Sequence, residues 1–150
     1  MHATTRYQIE VPESKDYPHI LSVWEAAVRA THYFLAEEDI RIFKQLIQHK
    51  YLDEVQLYCI WIEQMIAGFT GTSADKIEML FVHPAFHSRG IGKQLLLYAV
   101  YALNKKLVDV NEQNQKAVNF YLHFGFVVIS RSEKDNMGKS YPLLHMQRAP

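Results

Sequence analysis

Residues 77–92 read I-E-M-L-F-V-H-P-A-F-H-S-R-G-I-G. An apolar, strand-like run over residues 77–82 meets Pro84, crosses a short loop, and reaches Gly90 and Gly92 just before an amphipathic helical pattern begins. A helix opening carries unpaired backbone N–H groups and the positive end of the helix dipole, so it holds an anion without needing a basic side chain. Glycine suits this place because a Cβ blocks close backbone approach and disfavours positive φ. The stretch therefore predicts a phosphate-type anion site between a strand and a helix. Two nucleotide motifs fail letter by letter. A Walker loop needs Gly where His87 stands and Ser or Thr where Gln94 stands, and the dinucleotide fingerprint needs a third Gly where Leu95 stands.

Around this stretch, 150 residues suit one domain, residues 1–150, large enough to bury a full core. The chain is 49% hydrophobic and 13% aromatic, and no linker-like segment interrupts it. Sixteen basic residues balance sixteen acidic ones, and no Lys/Arg stripe forms the footprint of a nucleic-acid binder. The single Cys59 cannot close an internal disulfide, and it lies in the strand-like run V-Q-L-Y-C-I-W-I, where it reads as a small buried hydrophobe. No N-terminal signal pattern and no membrane-length apolar run is present, so a soluble cytoplasmic protein is expected.

Working outward, residues 7–11 alternate and end at Pro12, which predicts an edge-proximal first strand. Asp16 and Pro18 predict a helix start, and Ile20, Val23, Trp24, Ala27 and Val28 recur at helical spacing over residues 19–30. A second helix is expected over residues 36–51, acidic first and with Lys50 late. Residues 55–62 and 65–70 read as a hairpin turning at Glu63 and Gln64, and residues 72–75 as a turn. After Gly92 the helix carries Leu95, Leu96, Ala99, Ala102 and Leu103 on one side and is expected to end near Lys105 and Lys106. Then come a strand at 107–110, a polar turn at 111–114, a helix with Ala117, Phe120, Tyr121 and Phe124 stopped by Gly125, and strands at 126–130 and 143–146. The order predicts an α+β fold, a mostly antiparallel central sheet with helices on both faces.

The opening stretch and N-Q-K-A-V-N-F-Y-L-H-F-G-F, residues 114–126, resemble the two signature segments of the GNAT superfamily of acyl-CoA N-acyltransferases. The likeness extends to small bacterial acetyltransferases of the YjaB type through A-T-H-Y-F-L near Thr31, V-N-E-Q-N around Asn111, and R-S-E-K-D-N-M-G-K-S-Y-P-L-L from Arg131. The resemblance implies acetyl-CoA as co-substrate, an amine acceptor on a small molecule, peptide or protein, and transfer by direct attack in a ternary complex with no metal. A non-catalytic acyl-CoA-binding or regulatory module is the alternative. The family's phosphate loop usually begins with Arg or Gln; the aligned residue here is His87.

By resemblance, backbone N–H groups from Ser88 through Arg89, Gly90, Ile91, Gly92 and Lys93 receive the pyrophosphate of CoA, and Phe81 and Val82 pair with its pantetheine arm. Arg89 and Lys93 add charge or are ordinary solvated surface. A backbone N–H near Leu80 polarises the thioester carbonyl. Tyr121 is the candidate acid for the departing thiolate, its alternative being a core aromatic beside Phe120 and Phe124; an ordinary phenol, with pKa about 10, is protonated at neutral pH. Glu78, a charged residue inside an apolar strand, is the candidate base, directly or through water; otherwise it stands at an exposed edge or in an ion pair. Asn114 reads as a helix N-cap, to which resemblance adds a CoA contact. His32, Tyr33, Phe34 and Tyr141 are candidate acceptor contacts, with core packing as the alternative for each. His83 and His87 have i, i+4 spacing, but Pro84 prevents a regular helix across them and no third ligand follows, so no metal site is expected. An aminoglycoside acceptor would call for an acidic pocket, which the sequence does not plainly show. Monomer and homodimer both remain open.

Overall fold

The computed structural model describes residues 6–150; the expectation about an N-terminal signal rests partly on residues 1–5, outside that range. Strand β1, Ile9–Glu10, is shorter than the sequence suggests and sits at one edge of the sheet, antiparallel to β2. Proline at 12 has no N–H to continue the ladder. A 3₁₀ turn, Ser14–Asp16, leads into α1, Tyr17–Thr31. Asp16 makes no capping bond to α1; its Oδ2 accepts from Glu13 N at 2.9 Å and closes the preceding turn instead. Helix α2, Glu37–Leu46, opens with Glu37, Glu38 and Asp39, then passes through a π-helical turn, Ile47–Tyr51, into the single turn α3, Leu52–Glu54.

Strands β2, Gln56–Ile62, and β3, Met65–Ser73, form the expected hairpin, with Glu63 at φ 58 supplying the left-handed corner. Thr72 and Ser73 belong to β3 rather than to a turn, and they pair with Ile77 and Lys76 of β4, Lys76–Val82. Two buried β-branched threonines explain the extension: Thr70 and Thr72 fit the pleat, and Thr70 Oγ1 donates to Met79 O at 2.8 Å. Helix α4, Ile91–Leu97, continues as a π-helical turn, Tyr98–Ala102, and stops before the lysines because Asn104 takes φ 62. Strand β5, Leu107–Asn111, helix α5, Gln115–His123, and strands β6, Phe126–Ser132, and β7, Leu143–Arg148, complete the chain.

Among the described residues, seven strands lie in the order β1-β2-β3-β4-β5-β7-β6, with β4–β5 the single parallel pair. This is a mixed, mostly antiparallel sheet with helices on both faces. On one face Ile20, Val23, Trp24 and Val28 of α1 pack with Ile40 of α2 against Leu57, Cys59 and Phe69. On the other, Leu96, Ala99, Val118 and Tyr121 pack against Ile77, Val108, Val110, Phe126 and Met146. Burying a side chain of this size stabilises by roughly 1.5–3 kcal/mol, so each helix layer adds to the stability of the sheet face it covers.

Strand β4 carries a bulge. Its register runs from Thr72↔Ile77 directly to Gly71↔Met79, leaving Glu78 without a partner in β3. Ile77 and Leu80 therefore face the α4/α5 core, while Met79 and Phe81 face α1.

Candidate active site

The site forms where β4 and β5 part. They pair only at Lys76↔Leu107 and Ile77↔Val108. Beyond that point a cavity of about 90 Å³ opens between them, lined among others by Leu80, Phe81, Val110, Asn114, Ala117 and Tyr121. The open side of β4 is defined by its closed side. An added Cβ on Gly68 of β3 would lie 3.1 Å from Phe81 O, and Met79 O accepts from Thr70, so these carbonyls face β3. Backbone groups alternate along a strand. Leu80 and Val82 thus turn their N–H and C=O toward the cavity, as an added extended ligand requires.

Helix α4 starts at the far end of this opening. Gly90 is its N-cap at φ 77 with no side-chain cap, and Gln94 N bonds Gly90 O at 3.0 Å. A Cβ on Gly92 would stand 3.5 Å from Val82 Cγ2 and 3.8 Å from Phe120 Cζ, so the helix start lies over the end of β4 and beside α5. Positive φ is needed at Gly90; Gly92 is right-handed helix with ordinary contact distances. Ahead of it, Ser88 also has φ 64, His87 Nδ1 lies 2.9 Å from Ser88 Oγ, and the Arg89 guanidinium covers the Phe86 ring at 5.3 Å. Residues 88, 90 and 91–93 thus wrap a helix N-terminus, where anions are favoured.

Tyr121 is 6% exposed, and its ring meets Phe120 and Phe126 edge-on. It is a core aromatic and a lining group of the β4/β5 cavity at once. Burial drives its phenol well above the ordinary value, so the hydroxyl keeps its proton. Asn114 caps α5, its Oδ1 accepting from Ala117 N at 3.3 Å. That bond turns Nδ2 toward His32 Nε2, 3.5 Å away. Thr31 Oγ1 donates to Ala27 O and lies 2.7 Å from His32 Nδ1, so Nδ1 carries the proton and Nε2 presents a lone pair. Burial lowers His32 from 6.5 to about 4, which keeps it neutral. Glu78 is exposed at the bulge and accepts from Ser73 Oγ at 2.7 Å.

A second cavity of about 450 Å³ meets the first at His32, Glu78, Met79, Phe81, Asp109 and Asn111. Its apolar wall is Trp24, Val28, Leu35, Phe43, Ile47 and Met79, and its polar wall holds four carboxylates, Glu54, Glu78, Asp109 and Asp135, with Lys76. The acidic pocket that the sequence did not plainly show is thus present, assembled from residues far apart in the chain. Tyr141 lines it; Phe34 stacks between His32 and Tyr141 with centroids 5.2 and 6.0 Å away. Tyr33 is 85% exposed and lines neither cavity. Asp39, Lys76, Asp109, Ser132, Lys139 and His145 are polar groups around the site that sequence reasoning missed. The signal available was a polar residue between valines in L-V-D-V-N and a His between apolar residues in L-L-H-M.

Among the described residues, no three or more His, Cys, Asp or Glu side chains are grouped to hold a metal ion, and no helix is long and apolar enough to cross a membrane. Cys59 is fully buried, its thiol pushed up to about 11 by burial.

Parted parallel strands, a helix N-terminus at one end of the gap and a protonated phenol inside it make an acyltransferase architecture. The chain belongs to the GNAT acetyltransferase family, whose acetyltransferase (GNAT) domain matches residues 29–147. It is accordingly an N-acetyltransferase with acetyl-CoA as co-substrate. It is 35% identical over 128 residues to the peptidyl-lysine N-acetyltransferase YjaB of Salmonella typhimurium, covering 85% of this chain and 88% of that protein. The YjaB of Escherichia coli is also 35% identical, at 85% and 86% coverage. The solution structure of apo YjaB from Escherichia coli superimposes with a TM-score of 0.87 at 31% identity, covering 97% of this chain and 99% of that one.

Proposed function

We propose that this protein acetylates the side-chain amine of lysine in a peptide or protein, within a single catalytic domain spanning residues 1–150. The observation that carries the reading is the divergence of β4 and β5 beyond Ile77 and Val108, with Tyr121 inside the gap and the acidic cavity opening from it. The relatives at 35% identity are peptidyl-lysine N-acetyltransferases, which supports the acceptor class. A carboxylate-lined cavity with an apolar wall suits an ammonium group on an aliphatic stem.

In this reading the pyrophosphate of CoA sits on the N–H groups of residues 88–93, with Arg89, Lys93 and His87 beside it. The pantetheine arm adds along the open side of β4 at Val82, the backbone of Phe81, expected to pair as well, being turned to β3 instead, and the N–H of Leu80 holds the thioester oxygen, a donor worth roughly 3 kcal/mol in the transition state. The neutral amine attacks the carbonyl carbon, the C–S bond breaks, and Tyr121 protonates the thiolate. Glu78 accepts a proton from the amine directly or through water. Asn114 and His32 fix the edge of the gap, with Phe34 and Tyr141 behind them and Tyr33 at the outer rim. The protein acts in the cytoplasm as a monomer or homodimer, with no nucleic-acid or membrane partner.

Calorimetric titration with acetyl-CoA, followed by thiol release with lysine peptides and a panel of small amines, tests this. One-site binding with peptide-dependent thiol release supports it; release with small amines alone would replace the acceptor, and no binding at millimolar acetyl-CoA would sink the reading.

A further inference from the structure

Among the described residues, four polar side chains line both cavities: His32, Glu78, Asp109 and Asn111. Glu78 is exposed, Asp109 and Asn111 are half-buried, and His32 alone of the four is buried, at 8% exposure. Asp109 is tied to its neighbours: Lys76 Nζ donates to Oδ2 at 2.5 Å, and His145 Nδ1 lies 2.7 Å from Oδ1. His32 Nε2 is held far more loosely, by Asn114 Nδ2 at 3.5 Å, the long limit of a hydrogen bond. It is a buried lone pair, at the junction of the cavities, that a closer donor can take.

Both neighbours of the ring fix the same tautomer. Thr31 Oγ1 gives its one hydrogen to Ala27 O, so toward His32 it can only accept, and Nδ1 carries the ring hydrogen. Asn114 Oδ1 accepts from Ala117 N, so the group it turns to His32 is the donor Nδ2, and Nε2 must be the acceptor. The ring is held in place too. His32 N donates to Val28 O at 2.7 Å at the end of α1, and the ring centroid lies 5.2 Å from that of Phe34 and 6.3 Å from that of Phe81. A lysine amine ready to attack is neutral and carries two N–H groups. One must leave as a proton, and the other survives as the N–H of the amide. Glu78 takes the first in the scheme above; nothing there holds the second.

We propose that His32 Nε2 accepts the N–H that survives, and that this bond makes the enzyme selective for primary over secondary amines. This rests on the acetyl-transfer reading. The N–C bond forms and the C–S bond breaks; one proton leaves nitrogen for Glu78, and Tyr121 gives one to sulfur. His32 keeps its tautomer and exchanges no proton. Burial holds it at about 4, far too weak a base to deprotonate the amine, and so neutral as an acceptor. Its bond orients the nitrogen lone pair toward the thioester carbon. As nitrogen gains positive charge on attack, its N–H becomes a stronger donor, so the bond tightens in the transition state. An N-methyl amine has one N–H and must surrender it to Glu78. Its methyl group then faces Nε2, which is left buried without its donor.

Two amide variants divide the imidazole between them. His32→Asn sets its amide near the place of Nδ1, reaching Thr31 but not the gap; His32→Gln sets it near Nε2 and offers an oxygen to the gap. For wild type and both variants, kcat/KM by thiol release is measured with a lysine peptide and with the same peptide carrying side-chain N-methyl-lysine, beside acetyl-CoA titration and circular dichroism. If small amines prove to be the acceptors, the best of them and its N-methyl form replace the peptides. We expect the wild type to prefer the primary amine. His32→Asn should lose about 10- to 100-fold on the primary amine and little on the N-methyl one, so the preference collapses. His32→Gln should restore part of both rate and preference, with acetyl-CoA affinity unchanged throughout. A wild-type enzyme that takes both acceptors equally well, or a folded His32→Asn enzyme with the wild-type preference, overturns the role of His32 while leaving acetyl transfer intact. A wild-type protein that binds acetyl-CoA but releases no thiol with any amine overturns both.

Discussion

The phenol of Tyr141 donates a 2.5 Å hydrogen bond to Asp39 Oδ2 and accepts one from Ala36 N at 3.1 Å, joining the segment before β7 to the start of α2. Lys139 Nζ reaches the other carboxylate oxygen at 2.9 Å. This clasp closes across the rim of the large cavity. The Tyr141 hydroxyl first, and Lys139 second, hold Asp39 below its ordinary 3.8, so the clasp is complete above that value and weakens as pH falls through the lowered one. Replacing Tyr141 with Phe keeps the ring against Phe34 and removes both bonds. We expect KM for the acceptor to rise about tenfold with acetyl-CoA affinity unchanged, since lids act on the substrate they enclose. Steady-state kinetics with each substrate varied in turn checks this.

Tyr121→Phe retains the buried ring and its edge-on contacts while deleting the proton donor. Turnover should fall about 100-fold, with acetyl-CoA binding by calorimetry little changed. Unchanged turnover would leave Tyr121 as core packing.

His32 makes stability depend on pH. Its folded value of about 4 lies below the ordinary 6.5, so the unfolded chain binds the extra proton between the two. Stability contributed by neutral His32 is complete above about 6.5 and is lost as pH falls toward 4, by about 3 kcal/mol in all. Denaturant unfolding at pH 7 and pH 5 should show this drop in the wild type and a smaller one in His32→Gln. Equal drops would place the acid sensitivity elsewhere.

Gly90 has no heavy atom within 4 Å of where a Cβ would stand, so Gly90→Ala meets no protein clash. The cost is conformational, roughly 1–2 kcal/mol for a left-handed L-residue. Relief of that strain would turn the first N–H groups of α4 away from a ligand. Acetyl-CoA affinity should weaken about tenfold or more by calorimetry, whereas Arg89→Ala, removing a guanidinium that rests on Phe86, should cost less.

Element order and the strand–turn–helix unit were legible in the sequence because each is a local pattern: an apolar run in β4, helical spacing in α1, α4 and α5, and Gly125 at φ 91 after α5. The cap role of Asn114 was legible for the same reason. The acceptor side was not. Glu54, Asp109 and Asp135 become neighbours of one cavity only through strand order, and β7 inserts between β5 and β6, which no local pattern announces. His145 meets Asp109 by that insertion alone. Likewise Tyr33 and Phe34 are adjacent in sequence, yet the turn after α1 sends one ring inward and the other to solvent.

Glu78 has a consequence separate from any acid–base role. As the one residue of β4 that β3 does not count, it sits where the strand leaves its parallel neighbour, directly after Ile77↔Val108. Deleting it would bring Ile77 next to Met79 opposite Thr72 and Gly71, a regular ladder in which Met79, Leu80 and Phe81 keep their present faces. What would go is the bend and extra twist that a bulge gives its strand. The deletion should therefore fold yet narrow the gap between β4 and β5 and weaken acetyl-CoA binding, whereas Glu78→Ala keeps the bend.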